Sequence, residues 1–200
     1  MRTIIALNGE KFDFDFSDGD RIICCDGAYE HLKSIGVKPD VILGDFDSLN
    51  YVPEGAKVFP AEKDYTDGEL AYTYAMENFG ADNVVFIYAG GKREDHFLGN
   101  LAILIKAAKA GIDCRAVTRF SDVYYIESLR LFSAHVGATV SVVPVKETLI
   151  KRSDGLKYAY DNTKMNVAST LGISNIAIKS EFFLDIVDGG AFVFINKTKD

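Results

Sequence analysis

The chain has 200 residues, 48% hydrophobic and 26% charged, with 29 acidic side chains against 22 basic ones and a net charge of −7. These proportions suit a globular protein long enough to bury an ordinary core, and they exclude a disordered, collagen-like or membrane-spanning chain. The acid excess argues against a partner made of nucleic acid, which needs a basic surface, but it leaves room for a phosphate ligand held by local cations or a metal.

From the N-terminus to about residue 120, β-rich runs alternate with helical patterns. Strands are expected at 3–7, 21–25, 41–43, 57–59, 83–88 and 114–118. The first of these is too short for a signal-peptide core, and no stretch nears the roughly 18 apolar residues of a membrane span. Helices are expected at 28–35, stopped by Gly36, at 67–79, stopped by Gly80, and at 95–110, stopped by Gly111. This alternation predicts βαβ units around a mostly parallel sheet.

Beyond about residue 124 no helix-length pattern survives, and short β-like segments follow at 124–126, 129–133, 139–145, 155–160, 181–187 and 191–195. The expected fold class is therefore α/β. An N-terminal, mostly parallel, Rossmann-like α/β domain (residues 1–125) precedes a C-terminal antiparallel β-sandwich (residues 126–200). Cys24, Cys25 and Cys114 are an odd, sparse set without CxxC spacing, which predicts a reducing, cytoplasmic setting.

The chemistry gathers where the expected parallel strands end, which is where open α/β sheets bind ligands. Val41-Ile42-Leu43-Gly44-Asp45-Phe46-Asp47 presents two carboxylates in an Asp-x-Asp turn, whose repulsion a divalent metal relieves. In Lys63-Asp64-Tyr65-Thr66-Asp67-Gly68-Glu69, a capping box accounts for Thr66 and Glu69. It leaves Lys63, Asp64 and Asp67 unexplained: Lys63 could pair with a phosphate, and Asp67 could either favour the helix dipole or serve as a third metal carboxylate. Gly90-Gly91-Lys92-Arg93-Glu94-Asp95-His96 combines a glycine turn, a basic pair and a helix start, an arrangement suited to an anion. Asp26-Gly27 repeats the theme after the second strand. These residues describe a metal-dependent enzyme acting on a phosphorylated substrate, and they leave the acceptor open.

At these positions the chain resembles the thiamine pyrophosphokinase family. The matching residues fall in family order: Asp26-Gly27-Ala28; Pro39-Asp40 with Gly44-Asp45-Phe46-Asp47-Ser48; Lys63-Asp64-x-Thr66-Asp67; Gly90-Gly91-x-Arg93-x-Asp95-His96; Gly155-Leu156-Lys157-Tyr158; and Ser169 to Asn175. The resemblance implies transfer of pyrophosphate from ATP to the hydroxyl of thiamine, giving thiamine diphosphate and AMP. It implies Mg²⁺ on Asp45, Asp47 and Asp67. Lys63 and Arg93 would hold phosphate oxygens, and Asp67 or Asp95 would serve as base. Asp26, Asp40, Arg93 and His96 would surround ATP, and Ser169, Thr170, Ser174 and Asn175 would contact thiamine. It also implies a homodimer with thiamine near the subunit interface. Lys92 lengthens the family's Gly-Gly-Arg loop by one residue, and the chain has no Trp to stack on thiamine.

Two other readings compete. Gly44-Asp45-Phe46-Asp47 also resembles the first motif of haloacid-dehalogenase-like phosphatases, which would make Asp45 a nucleophile; that motif usually lies on a first strand, and here it follows a later one. A non-catalytic thiamine or nucleotide sensor would have no need of three carboxylates together with Lys63 and Arg93.

Overall fold

The computed structural model describes residues 1–47 and 49–197, and the chain divides into two compact units, Met1–Arg119 and Phe120–Asp200. This division falls a few residues ahead of the boundary expected at 125, because the strand Ser121–Ile126 pairs along its length with Ala191–Asn196 in the second unit.

The first unit holds β1 (Thr3–Ala6), β2 (Arg21–Cys25), β3 (Val41–Gly44), β4 (Lys57–Val58), β5 (Asn83–Ile87) and β6 (Asp113–Val117), all paired in parallel in the order β6-β5-β1-β2-β3-β4. Every residue of β1 is buried, and so are four of the five in β2 and in β5. The strands accordingly read as unbroken apolar runs, the mark of a sheet covered on both faces. The cover comes from α1 (Ala28–Ser34), α2 (Asp67–Tyr74) and α3 (Glu94–Lys109). In α3, Leu101, Leu104 and Ala107 face inward, and Lys106 and Lys109 complement the helix dipole in the last turn. Thr66 caps α2, its hydroxyl accepting the Glu69 N–H at 3.2 Å; α2 then runs into a π-helical turn, Ala75–Phe79. Together these span the single helix expected from the sequence.

Parallel pairing has one consequence that governs the site. The carboxyl ends of β1, β2, β3 and β5 all emerge on the same edge. Three of the residues that follow these strands turn through the left-handed region without being glycine: Asp26 (φ 40°), Phe46 (φ 58°) and Tyr88 (φ 56°). Each such residue costs roughly 1–2 kcal/mol, and residues of this kind cluster at functional sites.

The second unit contains β7 (Ser121–Ile126), β8 (Arg130–Ser133), β9 (Thr139–Pro144), β10 (Thr148–Asp154), β11 (Asp161–Met165), β12 (Asn175–Ile176), β13 (Glu181–Asp188) and β14 (Ala191–Asn196). They form two antiparallel sets, β12-β9-β14-β7 and β11-β10-β13-β8. Val140, Val142 and Val193 from one set share a single core with Phe132, Ile150, Leu184 and Ile186 from the other. Three strands escape the sequence reading: the two-residue β12, and the longer β10 and β11. Their exposed residues are charged or polar, and β11 buries only Met165. The segment 155–160, expected as a strand, is instead a turn with an isolated bridge from Leu156 to Ala177.

Leu184 is fully buried, whereas Leu131 is 61% exposed. Leu184→Ala is expected to lower unfolding free energy by about 2–5 kcal/mol in urea denaturation, and Leu131→Ala by less than about 0.5 kcal/mol.

Candidate active site

A cleft of about 520 Å³ opens at the shared strand edge of the first unit. Its floor begins with three carboxylates. Asp26, just past β2, is buried; Asp45 and Asp47, just past β3, are half-buried and exposed. Their oxygens lie within 4.8 Å of one another, a donor set that suits a hard divalent cation. Gly44 makes this approach possible. Its φ is 153°, and a Cβ there would stand 3.1 Å from the Asp26 Cβ and 3.2 Å from its Cα. Ser48, the last residue of that motif, lies outside the described residues.

Lys63 joins this acidic floor to α2. Its ammonium lies 2.8 Å from an Asp45 oxygen and 3.1 Å from an Asp67 oxygen. The hydrogen bond from Lys63 is the main reason the Asp45 carboxyl falls below its usual range. Burial alone would lower Lys63, but the two aspartates outweigh it and its pKa rises. Asp67 behaves in the opposite way to Asp45: burial raises it above the ordinary carboxylate value, and Lys63 only partly offsets that. Asp67 therefore meets the Asp26–Asp45–Asp47 group through Lys63.

The other wall comes from the loop after β5. It is stitched to the loop after β1, with Gly9 N–H donating to Tyr88 C=O at 3.0 Å and Glu10 N–H to Gly90 C=O at 2.7 Å. Asn100, in α3, donates to Ala89 C=O at 2.8 Å and so fixes the glycine turn. Sequence reasoning missed Asn100; nothing but its spacing from the Gly-Gly turn could have pointed to it. Lys92 reaches Asn8 Oδ1 at 3.2 Å, so the extra residue of this loop places a cation on the cleft. Arg93 and His96 also line the cleft. Arg93 stands at the N-cap position of α3 and forms a forked pair with Asp95, at 3.1 and 2.6 Å. That pair brings the Asp95 carboxyl down to about 2.

The remaining expected residues lie elsewhere. Asp40 is not brought to the cleft: it precedes β3, at the opposite end of the strands, where its carboxylate accepts the Ile22 N–H at 2.7 Å. In the second unit, Ser169, Thr170 and Ser174 are exposed, and Ser174 has φ 62°. Asn175 is buried, and its amide is committed to the backbone, donating to Tyr158 C=O at 2.7 Å and accepting from Tyr158 N–H at 3.0 Å.

Clustered carboxylates and cations at the carboxyl ends of parallel strands define a phosphotransferase of the kind that handles a polyphosphate. The comparisons with known proteins carry this further. Residues 16–116 match the family model described as thiamin pyrophosphokinase, catalytic domain, and residues 129–185 match thiamin pyrophosphokinase, vitamin B1 binding domain. The chain is 31% identical over 160 residues to thiamine pyrophosphokinase of Bacillus subtilis (strain 168), spanning 74% of each protein. It is 26% identical over 179 residues to thiamin pyrophosphokinase 1 of Caenorhabditis elegans, covering 81% of this chain and 73% of that one. The crystal structure of thiamine pyrophosphokinase from Bacillus subtilis superposes with a TM-score of 0.88 at 26% identity, covering 98% of this chain and 99% of the other. The chain belongs to the thiamin pyrophosphokinase family. It is a diphosphotransferase, with ATP and thiamine as substrates and thiamine diphosphate and AMP as products. Neither the phosphatase reading nor the sensor reading finds support in these relationships.

Gly44→Ala is expected to strain the β3 end and press on Asp26. Calorimetric titration with Mn²⁺ should show weaker binding than in the unaltered chain, at least about tenfold, with little change in the circular dichroism of the fold.

Proposed function

We propose that pyrophosphoryl transfer takes place in the cleft of the first unit, and that Asp26, Asp45 and Asp47 hold the divalent metal there, Mg²⁺ by preference. The observation that carries this reading is the meeting of those three carboxylates beside a lysine that already neutralises Asp45 and Asp67. Of the metal ligands expected from the sequence, Asp45 and Asp47 keep that role. Asp26 takes the third place, and Asp67 is free for another. When bound, the metal neutralises phosphate oxygens and helps place them in line.

The chain's own groups do the rest. Lys92, Arg93, His96 and the amides of the Gly90-Gly91 turn bind the phosphates of ATP, and the N-terminus of α3 adds its dipole. Arg93 exchanges its exposed pairing with Asp95 for phosphate oxygens. Lys63 orients Asp67 and Asp45 and stabilises charge on the transferring group. Asp67 accepts the proton of the thiamine hydroxyl. Its raised pKa makes it a better proton acceptor than Asp95, whose carboxyl sits at about 2 and is a weak base near neutrality. Asp95 then serves to position Arg93.

In this reading the first unit is the Rossmann-like ATP and metal domain and the second a β-sandwich that binds thiamine through Ser169, Thr170 and Ser174, with Asn175 holding the Tyr158 backbone. The common core of the two antiparallel sets supports the sandwich. The exposed apolar residues Leu129, Leu131, Leu171 and Ile173 support association into a homodimer. The unbridged, buried Cys24, Cys25 and Cys114 suit a reducing, cytoplasmic location.

AMP release from ATP, measured with Mg²⁺ and thiamine present, tests these roles. Asp47→Ala is expected to abolish it; normal turnover by that variant would contradict the metal assignment. Asp67→Asn is expected to lower kcat by roughly 100-fold or more. Asp95→Asn is expected to act mainly on the KM for ATP. The reverse ranking of the last two would make Asp95 the base.

A further inference from the structure

Tyr65 stands in the loop that leads into α2, between Asp64 and Thr66, and lines the cleft. The residue is 55% exposed. Among the described residues it takes part in no hydrogen bond, ion pair or ring contact. The cleft's other tyrosine, Tyr88, offers no ring surface: it is fully buried and packed edge-on against Phe12 and His31, with centroids 5.0 and 5.2 Å away. An exposed, unpartnered aromatic ring at the mouth of a polar cleft is poorly placed for stability and well placed for a flat ligand.

The charges nearby indicate which ligand. Glu62 and Asp64 are exposed on the same loop as Tyr65, while Lys63 is engaged by Asp45 and Asp67. The cleft's other cations, Lys92 and Arg93, belong to the loop after β5, where phosphate would be held. Of the two substrates, ATP is an anion with a neutral base, and thiamine is a cation whose charge is spread over its thiazolium ring. That ring bears the reacting hydroxyl on a two-carbon arm, so it must lie within one short arm of the phosphorus under attack. The adenine lies at the far end of the triphosphate. A delocalised cation over a tyrosine face gains from the ring quadrupole, and the neighbouring acids strengthen the attraction.

We propose that Tyr65 is a specificity-determining residue that receives the thiazolium ring of thiamine on its face by a cation–π contact, with Glu62 and Asp64 drawing the cation to that lip. The proposal rests on the functional reading given above.

The experiment is steady-state kinetics of the full chain with Mg²⁺, varying thiamine and ATP separately, for Tyr65→Phe, Tyr65→Leu and Tyr65→Ala. An exposed loop position tolerates all three, and their unfolding curves should overlay that of the unaltered chain. Tyr65→Ala and Tyr65→Leu are expected to raise the KM for thiamine roughly three- to thirty-fold while leaving the KM for ATP within twofold. Tyr65→Phe, which keeps the ring, should stay within about twofold on both. An unchanged thiamine KM in Tyr65→Ala would overturn the proposal. So would a rise confined to ATP, which would place the ring against adenine. A Tyr65→Leu variant equal to the unaltered chain would overturn it too, by reducing the contact to bulk apolar surface. If the unaltered chain forms no AMP from ATP and thiamine, the functional reading itself falls and takes this proposal with it, a failure separable from all the others.

Discussion

One ammonium group holds the acidic edge of this molecule together. Parallel pairing of β1 to β5 forces the loops after four strands onto one side, and several of those loops bring carboxylates. Lys63, 2.8 Å from Asp45 and 3.1 Å from Asp67, ties the end of β3 to the first turn of α2 and offsets part of their repulsion. The two pairings have opposite consequences for pH. Asp45, lowered by its bond to Lys63, lends stability that is present above its unfolded pKa and is lost as pH falls through the folded value. Asp67, raised by burial, favours the folded state only while protonated, and that contribution is lost as pH rises through its folded pKa. Once ionised, Asp67 is thus a burden on the fold.

Backbone strain at the same edge points the same way. Asp26, Phe46 and Tyr88 all adopt positive φ where glycine would do so freely. For Asp26 the conformation allows its backbone N–H to meet Leu43 C=O at 2.9 Å while its carboxylate is buried beside Asp45. A polyphosphate needs fixed charges more than it needs covalent chemistry, because transfer of this kind is achieved by positioning and electrostatic preorganisation. A sheet edge provides both, and the environments of Asp67 and Asp95 set two similar carboxylates apart, the first raised by burial and the second lowered by Arg93.

Much of this was legible in the sequence, and for identifiable reasons. The unbroken apolar runs of β1, β2 and β5, bounded by glycine and aspartate, give the parallel sheet and locate its ligand edge. Seven aspartates, 26, 40, 45, 47, 64, 67 and 95, stand out in the loops and equal in number the net charge of −7. Five of them, 26, 45, 47, 64 and 67, line the cleft. Asp40 does not, because a residue that precedes a parallel strand lies at the opposite end of the sheet from one that follows it, a distinction that spacing from Gly44 does not convey. The pairing of Lys63 with two aspartates was hidden too, because β3 and α2 meet only in three dimensions. In the second unit, β10 and β11 carry too few apolar residues to announce themselves; partner strands, not their own pattern, make them strands. Asn175 looked like a ligand contact by position, yet its amide proves to be occupied by Tyr158.

The central claim is that this edge moves a pyrophosphoryl unit in one step to a cationic alcohol. Its most direct test is to incubate the chain with Mg²⁺, thiamine and ATP labelled at the γ-phosphorus, and to identify the labelled and unlabelled products. The account predicts label in the terminal phosphate of thiamine diphosphate, with unlabelled AMP formed in equal amount and only when thiamine is present. Label in a thiamine monophosphate, with ADP as the co-product, would contradict it.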